Sequence, residues 1–210
     1  MIITVFGATG MVGHQMVQQA LFKGHTVRAF GRNVYTTKFP DEKGLQLVQG
    51  ALFDANEVYN AVKGADAVLS AIGGSVDGTD KARTLGMKNV IAQMDKADVK
   101  RIIAVGGMGV LDADENSLLV DAEDYPQEYK AVGLEHKKAW ELLKASDLNW
   151  TFVCCPDIKD EGPTGSFVTK ADYPPVPNNY RINAGDIALF MLNELNKNEY
   201  VNKRVGISNI

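Results

Sequence analysis

The chain has 210 residues, 45% of them hydrophobic and 23% charged, with a formal net charge of −4. These values are typical of a globular protein with a sizeable core, and we expect one domain that spans residues 1–210. The mild acidic charge predicts neither a nucleic-acid partner nor a membrane partner. No apolar stretch reaches the roughly 20 residues of a membrane span, and the N-terminus lacks a secretory signal, so we expect a cytoplasmic protein.

The two cysteines, Cys154 and Cys155, are neighbours at the end of an apolar run. Adjacent side chains in a strand point to opposite faces, so a mutual disulfide is not expected. Two buried thiols suit a reducing compartment such as the cytoplasm. No group of His, Cys, Asp or Glu residues has the spacing of metal ligands, and we therefore expect no metal site.

Apolar, β-branched runs alternate with segments of helical spacing along the chain. The predicted strands are residues 2–6, 26–30, 45–49, 67–72, 101–105 and 149–154, with a final edge strand at 204–207. The predicted helices are residues 11–23, 55–63, 80–97, 128–145 and 184–196. This order predicts crossover units and a doubly wound, Rossmann-like α/β fold, in which helices flank a parallel sheet.

Residues 156–181 interrupt the alternation with an irregular, proline-rich sequence, PDIKDEGPTGSFVTKADYPPVPNNYR. The segment follows the sixth predicted strand at its carboxyl end. Ligands of open α/β sheets bind in the crevice outside these ends. We therefore expect a flap on the substrate side of the domain, in preference to a linker.

Three glycines, Gly7, Gly10 and Gly13, follow the first predicted strand in the motif GATGMVG. In a dinucleotide-binding loop the first glycine makes a tight turn, the second lets the backbone approach a pyrophosphate, and the third lets the helix pack closely. The helix N-terminus offers free amides and a positive dipole end to the anion. The spacing GxxGxxG differs from the commoner GxGxxG. Its position at the first strand–helix junction nevertheless favours a dinucleotide site over a plain turn.

Arg32 follows the second predicted strand, in the sequence AFGRN. An NAD site usually has an Asp or Glu there, which binds the ribose 2′-hydroxyl. No carboxylate is close in this sequence, and the planar guanidinium of an arginine suits a 2′-phosphate. The alternative is a solvated surface arginine. The sequence therefore predicts NADP(H) in preference to NAD(H).

The segments FGATGMVG, AFGRN, QGALFD, GADAVLSAIGG and SDLNWTFVCCPDI, in this order, resemble the atypical short-chain dehydrogenase/reductases. Within that group they are similar to the NAD(P)H-binding branch that includes NmrA-like proteins and biliverdin reductase B, a flavin reductase. The resemblance covers nearly the whole chain, as far as the segment RINAGDIA.

This resemblance implies a set of cofactor-binding residues at the carboxyl ends of the strands. It assigns the pyrophosphate to Gly7, Ala8, Thr9, Gly10, Met11 and Val12. It assigns the 2′-phosphate to Arg32, the adenine to Ala51 and Leu52, and the ribose to Ala71, Ile72 and Gly73. It assigns the nicotinamide to Gly106, Gly107, Cys155 and Pro156.

Ordinary short-chain dehydrogenases use a Tyr-x-x-x-Lys pair on the helix after the fifth strand, and a serine at the end of that strand. In this sequence Tyr129 is followed four residues later by Gly133, and glycines replace the serine. Tyr59 and Lys63 have the right spacing but lie on the helix before the fourth strand, so we interpret them as a chance match. Hydride transfer itself needs no such pair, because the cofactor supplies the hydride.

His136 is the candidate catalytic residue, because the resembled reductases often have a histidine at this position. An imidazole there can donate a proton or a hydrogen bond, although it can equally only orient the cofactor. Met108, Tyr129 and Tyr173 are candidates for the lining of a substrate pocket.

These features favour an NADPH-dependent reductase that transfers a hydride to a small conjugated acceptor, such as a flavin or a quinone. A non-catalytic, NmrA-like regulator that senses NADP(H) is the first alternative. A nucleotide-sugar epimerase is the second, and it is disfavoured because epimerases normally need the missing Tyr-Lys pair.

Overall fold

A computed structural model describes residues 1–210 of the chain. The ten strands are β1 (Ile2–Phe6), β2 (Thr26–Gly31), β3 (Leu45–Gln49), β4 (Ala67–Ser70), β5 (Arg101–Gly107), β6 (Asn149–Cys155), β7 (Asp157–Lys159), β8 (Phe167–Ala171), β9 (Arg181–Asn183) and β10 (Lys203–Asn209). The five α-helices are α1 (Met11–Phe22), α2 (Ala55–Val62), α3 (Ala82–Lys96), α4 (Gln127–Lys144) and α5 (Ala184–Lys197).

Eight strands form one sheet in the order β3-β2-β1-β4-β5-β6-β10-β8. Neighbouring strands are parallel except for β8, which runs antiparallel to β10. The order of the first six strands is that of a doubly wound dinucleotide-binding sheet, with the topological switch point between β1 and β4. The predicted Rossmann-like α/β fold is confirmed.

The prediction of a final edge strand is wrong in its position. The last strand, β10, lies between β6 and β8, so both of its edges are paired. The edge strand is β8, which belongs to the proline-rich segment 156–181. This segment is irregular for most of its length, but it also contains β7, which pairs in parallel with β9 in a separate two-stranded sheet.

Two hydrophobic clusters cover the two faces of the sheet. On one face the helices α1 and α5 pack against strand residues such as Ile3 and Val5. On the other face α2, α3 and α4 pack against residues such as Phe6, Val68 and Ile102. The strands are apolar on both faces because helices cover both of them. None of the five helices combines the length and the hydropathy that a bilayer span requires.

Candidate functional site

A cavity of about 840 Å³ opens at the carboxyl ends of the parallel strands. Gly7, which follows β1, and Ala71, which follows β4, both line it, so the cavity spans the switch point of the sheet. This is the place where open α/β sheets bind their ligands. Its volume is within the range of roughly 300–1,000 Å³ that is common for small-molecule and cofactor sites.

The glycine loop is built by close backbone contacts. Gly7 has a φ of +73°, and a Cβ atom there would be 2.2 Å from the carbonyl oxygen of Ala71. A Cβ atom on Gly13 would be 2.0 Å from the carbonyl oxygen of Gly7. Only glycine therefore fits at the turn and at the first turn of α1. The loop therefore packs closely against the segment after β4 and against α1.

The N-terminus of α1 faces the cavity and has no side-chain cap. The first amides of a helix have no partner within the helix, and they carry a partial positive charge. Thr9, Gly10 and Met11 are exposed at this point and line the cavity. The arrangement is that of an anion-binding site formed by backbone N–H groups.

Two glycines of the lining leave room that the protein itself does not fill. A Cβ atom on Gly73 would meet nothing within 4 Å, and one on Gly10 would only touch the carbonyl oxygen of Gly7 at 3.5 Å. Packing within the protein therefore does not require glycine at either position. A ligand that approaches the backbone closely does require it. The cavity wall fits a dinucleotide in this respect.

Arg32 lies at one end of the cavity, where its side chain is exposed and makes no ion pair within the chain. Its carbonyl oxygen accepts a hydrogen bond of 3.0 Å from Nε2 of Gln49. The loop that follows is held to α1 by His14, whose Nε2 lies 2.8 Å from the carbonyl oxygen of Lys38. The backbone around Arg32 is therefore fixed while its guanidinium stays available.

The wall beside Arg32 consists of residues 51–53. The backbone N–H of Ala51 donates a 2.6 Å hydrogen bond to Glu57, so this amide is occupied within the protein. The carbonyl oxygen of Leu52 accepts a 2.9 Å hydrogen bond from Asn89. With Phe53 exposed, the wall presents an apolar surface suited to a flat ring.

His136 lies at the opposite end of the cavity, beside Gly107, Cys155 and Pro156. Desolvation in the protein interior, with a smaller contribution from the positive charge of Arg83, lowers the pKa of His136 from 6.5 to about 3. The imidazole is therefore neutral at physiological pH. A neutral imidazole can donate or accept a hydrogen bond, but it cannot act as an imidazolium acid.

Arg83 and Asp80, from the start of α3 and the loop before it, also line this end of the cavity. Arg83 donates hydrogen bonds to the carbonyl oxygens of Ser75 (3.0 Å) and Gly74 (3.2 Å). The backbone amides of Ala82 and Ser75 donate to Asp80 and lower its pKa. Asp80 is the one carboxylate among the lining residues.

Most of the residues singled out in the sequence come together in this cavity. Those that line it are Gly7, Thr9, Gly10, Met11, Val12, Arg32, Ala51, Leu52, Ala71, Ile72, Gly73, Gly106, Gly107, His136, Cys155 and Pro156. Ala8 is completely buried in the core and does not line the cavity.

The three candidate substrate residues do not reach the cavity. Met108 begins a short 3₁₀ helix directly after β5, and its sulfur contacts Asn178 at 3.8 Å. Tyr129 is 53% exposed in the first turn of α4, and the ring of Tyr173 packs under Lys170. The pair Tyr59 and Lys63 also lies outside the cavity, with Tyr59 in α2 and Lys63 directly after its end, as expected of a chance match.

Sequence reasoning missed Asp80, Arg83 and Ile158 in the lining. A signal for the first two was present, because the segment after a strand's carboxyl end and the first turn of the next helix lie at the ligand edge of such a sheet. Ile158 lies in β7, three residues beyond the end of β6, in the segment predicted as a flap. Its inward position depends on pairing between β7 and β9, which no local pattern indicates.

The doubly wound sheet, the glycine loop and the cavity at the switch point define a Rossmann-like dinucleotide-binding protein. The comparison with known proteins agrees with this class. The chain belongs to the NAD(P)H-binding family, whose model matches residues 7–198. Its resemblance to the NAD(P)H-binding branch of the atypical short-chain dehydrogenase/reductases is thereby confirmed.

Three solved structures are similar over nearly the full length. A candidate exported protein from Burkholderia pseudomallei is 32% identical, with a TM-score of 0.85 and coverage of 99% of this chain and 98% of the other. A candidate NADH-flavin reductase from Streptococcus pneumoniae is 25% identical, with a TM-score of 0.85 and complete coverage of both chains. A candidate epimerase from Bacteroides thetaiotaomicron is 26% identical, with a TM-score of 0.86 and coverage of 100% and 97%. The fold is thus that of an oxidoreductase-like NAD(P)H-binding protein.

Proposed function

We propose that the protein is an NADPH-dependent reductase of a small conjugated acceptor, flavin-like or quinone-like. The observation that carries the proposal is one cavity with an anion-binding glycine loop, a free arginine at one end and a neutral histidine at the other. The similarity to a candidate NADH-flavin reductase supports the same type of chemistry.

In this proposal the glycine loop and the first amides of α1 hold the pyrophosphate. Gly73 leaves space for the ribose, and the apolar wall of residues 51–53 supports the adenine. Gly106, Gly107, Cys155 and Pro156 form the surface against which the nicotinamide lies. The bound cofactor supplies the hydride and the protein supplies its position.

Arg32 is the residue that supports NADPH over NADH. Its guanidinium is exposed at the adenine end of the cavity and makes no ion pair in the chain. Asp80 is the one carboxylate that lines the cavity, and it lies near Arg83, so no lining carboxylate at the adenine end could bind a ribose 2′-hydroxyl. A planar guanidinium can bind a phosphate through two hydrogen bonds.

On the acceptor side the residues hold the acceptor in position and do not donate a proton to it. His136 is neutral, so it holds an acceptor oxygen or nitrogen through a hydrogen bond. An acceptor that is already conjugated becomes a stabilised anion when it takes up a hydride, and water then supplies the proton. Placement of the acceptor against the cofactor is the main source of the rate in such a site. A missing Tyr-Lys pair is compatible with this chemistry.

A non-catalytic sensor of NADP(H) is the second candidate function. The observation that favours it is the missing Tyr-Lys pair. The end of the cavity at which the nicotinamide would lie has no group that can donate a proton as an acid at neutral pH. An epimerase relationship is suggested by one structural neighbour, but epimerases normally use the missing Tyr-Lys pair.

We also propose that the protein is cytoplasmic, which the two free, buried cysteines support.

Oxidation of NADPH with a panel of flavins, quinones and enals, followed by the loss of NADPH absorbance, tests the proposal. We expect turnover with at least one conjugated acceptor and none with simple, unconjugated ketones. Binding of NADPH without turnover on any acceptor would refute the reductase and favour the non-catalytic sensor.

The variant Gly10→Asp, which places a carboxylate at the pyrophosphate, is expected to abolish NADPH binding. Gly162→Asp is the matched control, because Gly162 lies outside the cavity and a Cβ atom there meets nothing within 4 Å. If Gly10→Asp binds NADPH as well as the parent protein, the site is elsewhere.

A further inference from the structure

Arg83 is a half-buried cation without an ion pair. No carboxylate lies within 4.0 Å of its guanidinium, in contrast to Arg101 and Arg204, which pair with Glu194 and Asp112 at 3.0 Å and 2.8 Å. Burial lowers the pKa of Arg83, and the more distant Asp80 and Glu135 only partly offset this effect. A charge removed from water without a partner is unfavourable unless a ligand compensates it.

The hydrogen bonds of Arg83 are also incomplete. Its two terminal nitrogens each donate one bond to the loop carbonyls of Ser75 and Gly74. Its Nε is buried and has no partner. A guanidinium has five N–H groups, so both terminal nitrogens retain a free N–H.

The position of Arg83 in the cavity indicates which ligand could pair with its positive charge. It lines the cavity with His136, and its charge is close enough to contribute to the lowered pKa of that imidazole. The glycine loop and Arg32 follow β1 and β2, and in the proposed function they bind the phosphates of the cofactor. Arg83 therefore faces the end of the cavity that receives the acceptor.

We propose that Arg83 is a specificity-determining residue that selects acceptors carrying a fixed negative charge, such as a carboxylate, a sulfonate or a phosphate. This inference rests on the proposed function, because it assumes that an acceptor binds beside His136. The guanidinium binds the anionic group through its free N–H groups, and the loop carbonyls of Gly74 and Ser75 keep it in place. A charge-assisted hydrogen bond of this kind contributes about tenfold or more in affinity.

A matched pair of quinones tests the proposal: 1,4-naphthoquinone and 1,4-naphthoquinone-2-sulfonate. Affinities are measured by isothermal titration calorimetry, both on the protein alone and on the protein saturated with NADP⁺, which cannot reduce either compound. The KM values of both quinones with NADPH are measured in parallel. The variants are Arg83→Met, Arg83→Lys and the control Lys88→Met, which removes an exposed charge from the same helix.

We expect the parent protein to bind the sulfonate about tenfold more tightly than the neutral quinone. Arg83→Met is expected to abolish this preference, Arg83→Lys to keep part of it, and Lys88→Met to keep all of it. The ratio of the two affinities is the decisive measurement, because a loosened loop would weaken both quinones equally.

An unchanged ratio of the two quinone affinities in Arg83→Met would overturn the proposal. The same would hold if that ratio were unchanged and the affinity for NADPH were lost. The latter result would assign Arg83 to the cofactor. A preference for the sulfonate in calorimetry without any oxidation of NADPH would support the role of Arg83 and refute the reductase. Failure of both quinones to bind in calorimetry would refute the anionic subsite, even if another acceptor were reduced.

Discussion

His136 lies directly against Gly107: a Cβ atom on Gly107 would be 2.8 Å from Cδ2 of His136. Gly107 is the last residue of β5, and His136 lies in the middle of α4. Ordinary short-chain dehydrogenases have a serine at the end of this strand. Here the strand ends in two glycines, and the lack of a side chain on Gly107 leaves room for the imidazole of His136 beside the cavity. This end of the cavity thus has a neutral imidazole and no serine hydroxyl.

The stability of the protein should depend on the protonation of His136. The folded state holds its pKa at about 3, below the 6.5 of an unperturbed histidine. Between these values the unfolded chain binds a proton that the folded chain does not, so the free energy of unfolding falls as the pH falls from 6.5 towards 3. We expect His136→Gln to reduce this loss, as measured by unfolding temperatures across the same range. An identical pH dependence in parent and variant would show that the imidazole is not held neutral.

Substitution of Gly73 should affect the ligand and not the fold. A side chain there would project into the cavity, where a Cβ atom meets no protein atom within 4 Å. We expect Gly73→Val to unfold at the temperature of the parent protein and to bind NADPH at least about fivefold more weakly, since overpacking costs about 1–3 kcal/mol. Gly162→Val is the control, with equal space and no contact with the cavity. Unchanged NADPH affinity in Gly73→Val would place the ribose elsewhere.

Substitution of Gly13, in contrast to that of Gly73, should affect the stability of the fold. A Cβ atom on Gly13 would be 2.0 Å from the carbonyl oxygen of Gly7, and backbone must move to accept it. We expect Gly13→Ala to lower the free energy of unfolding by about 1–3 kcal/mol. Urea denaturation measures this change. A variant as stable as the parent would mean that α1 can withdraw from the loop at little cost.

Arg32 should determine the choice between the two cofactors. We expect Arg32→Ala to weaken NADPH binding about tenfold or more, the contribution of a charge-assisted hydrogen bond, and to leave NADH binding nearly unchanged. The NADPH affinity of the parent protein should also fall with added salt, because Arg32 is exposed and its interaction is screened. Fluorescence titrations with both cofactors measure these effects. Equal losses for NADPH and NADH would refute the contact with the 2′-phosphate.

The parallel strands and the glycine loop could be predicted from the sequence because the patterns that produce them are local. Strands such as Ile2–Phe6 are short apolar runs, and the glycines of GATGMVG are required by contacts within the loop itself. The edge strand β8 could not be predicted, because it depends on pairing with β10, more than thirty residues later in the chain. Within its proline-rich surroundings it has no pattern of its own.

The same distinction applies to the candidate site. Arg32 could be assigned to the cavity because topology brings the carboxyl ends of the parallel strands to one edge, and Gly73 is assigned through the family resemblance. The aromatic Tyr129 and Tyr173, which are candidates because of their proximity in sequence to the site, do not line the cavity. Their side chains are directed by the packing of α4 and of the proline-rich segment, which is a property of the tertiary structure.

The two thiols at the end of β6 also determine how the protein can respond to oxidants. Burial raises the pKa of Cys154 and of Cys155 well above the usual value, so neither forms a thiolate at neutral pH. Peroxides attack thiolates and not thiols, and both cysteines are buried, Cys154 in the core and Cys155 in the wall of the cavity. The folded protein is therefore expected to resist covalent oxidation of its two cysteines by peroxides.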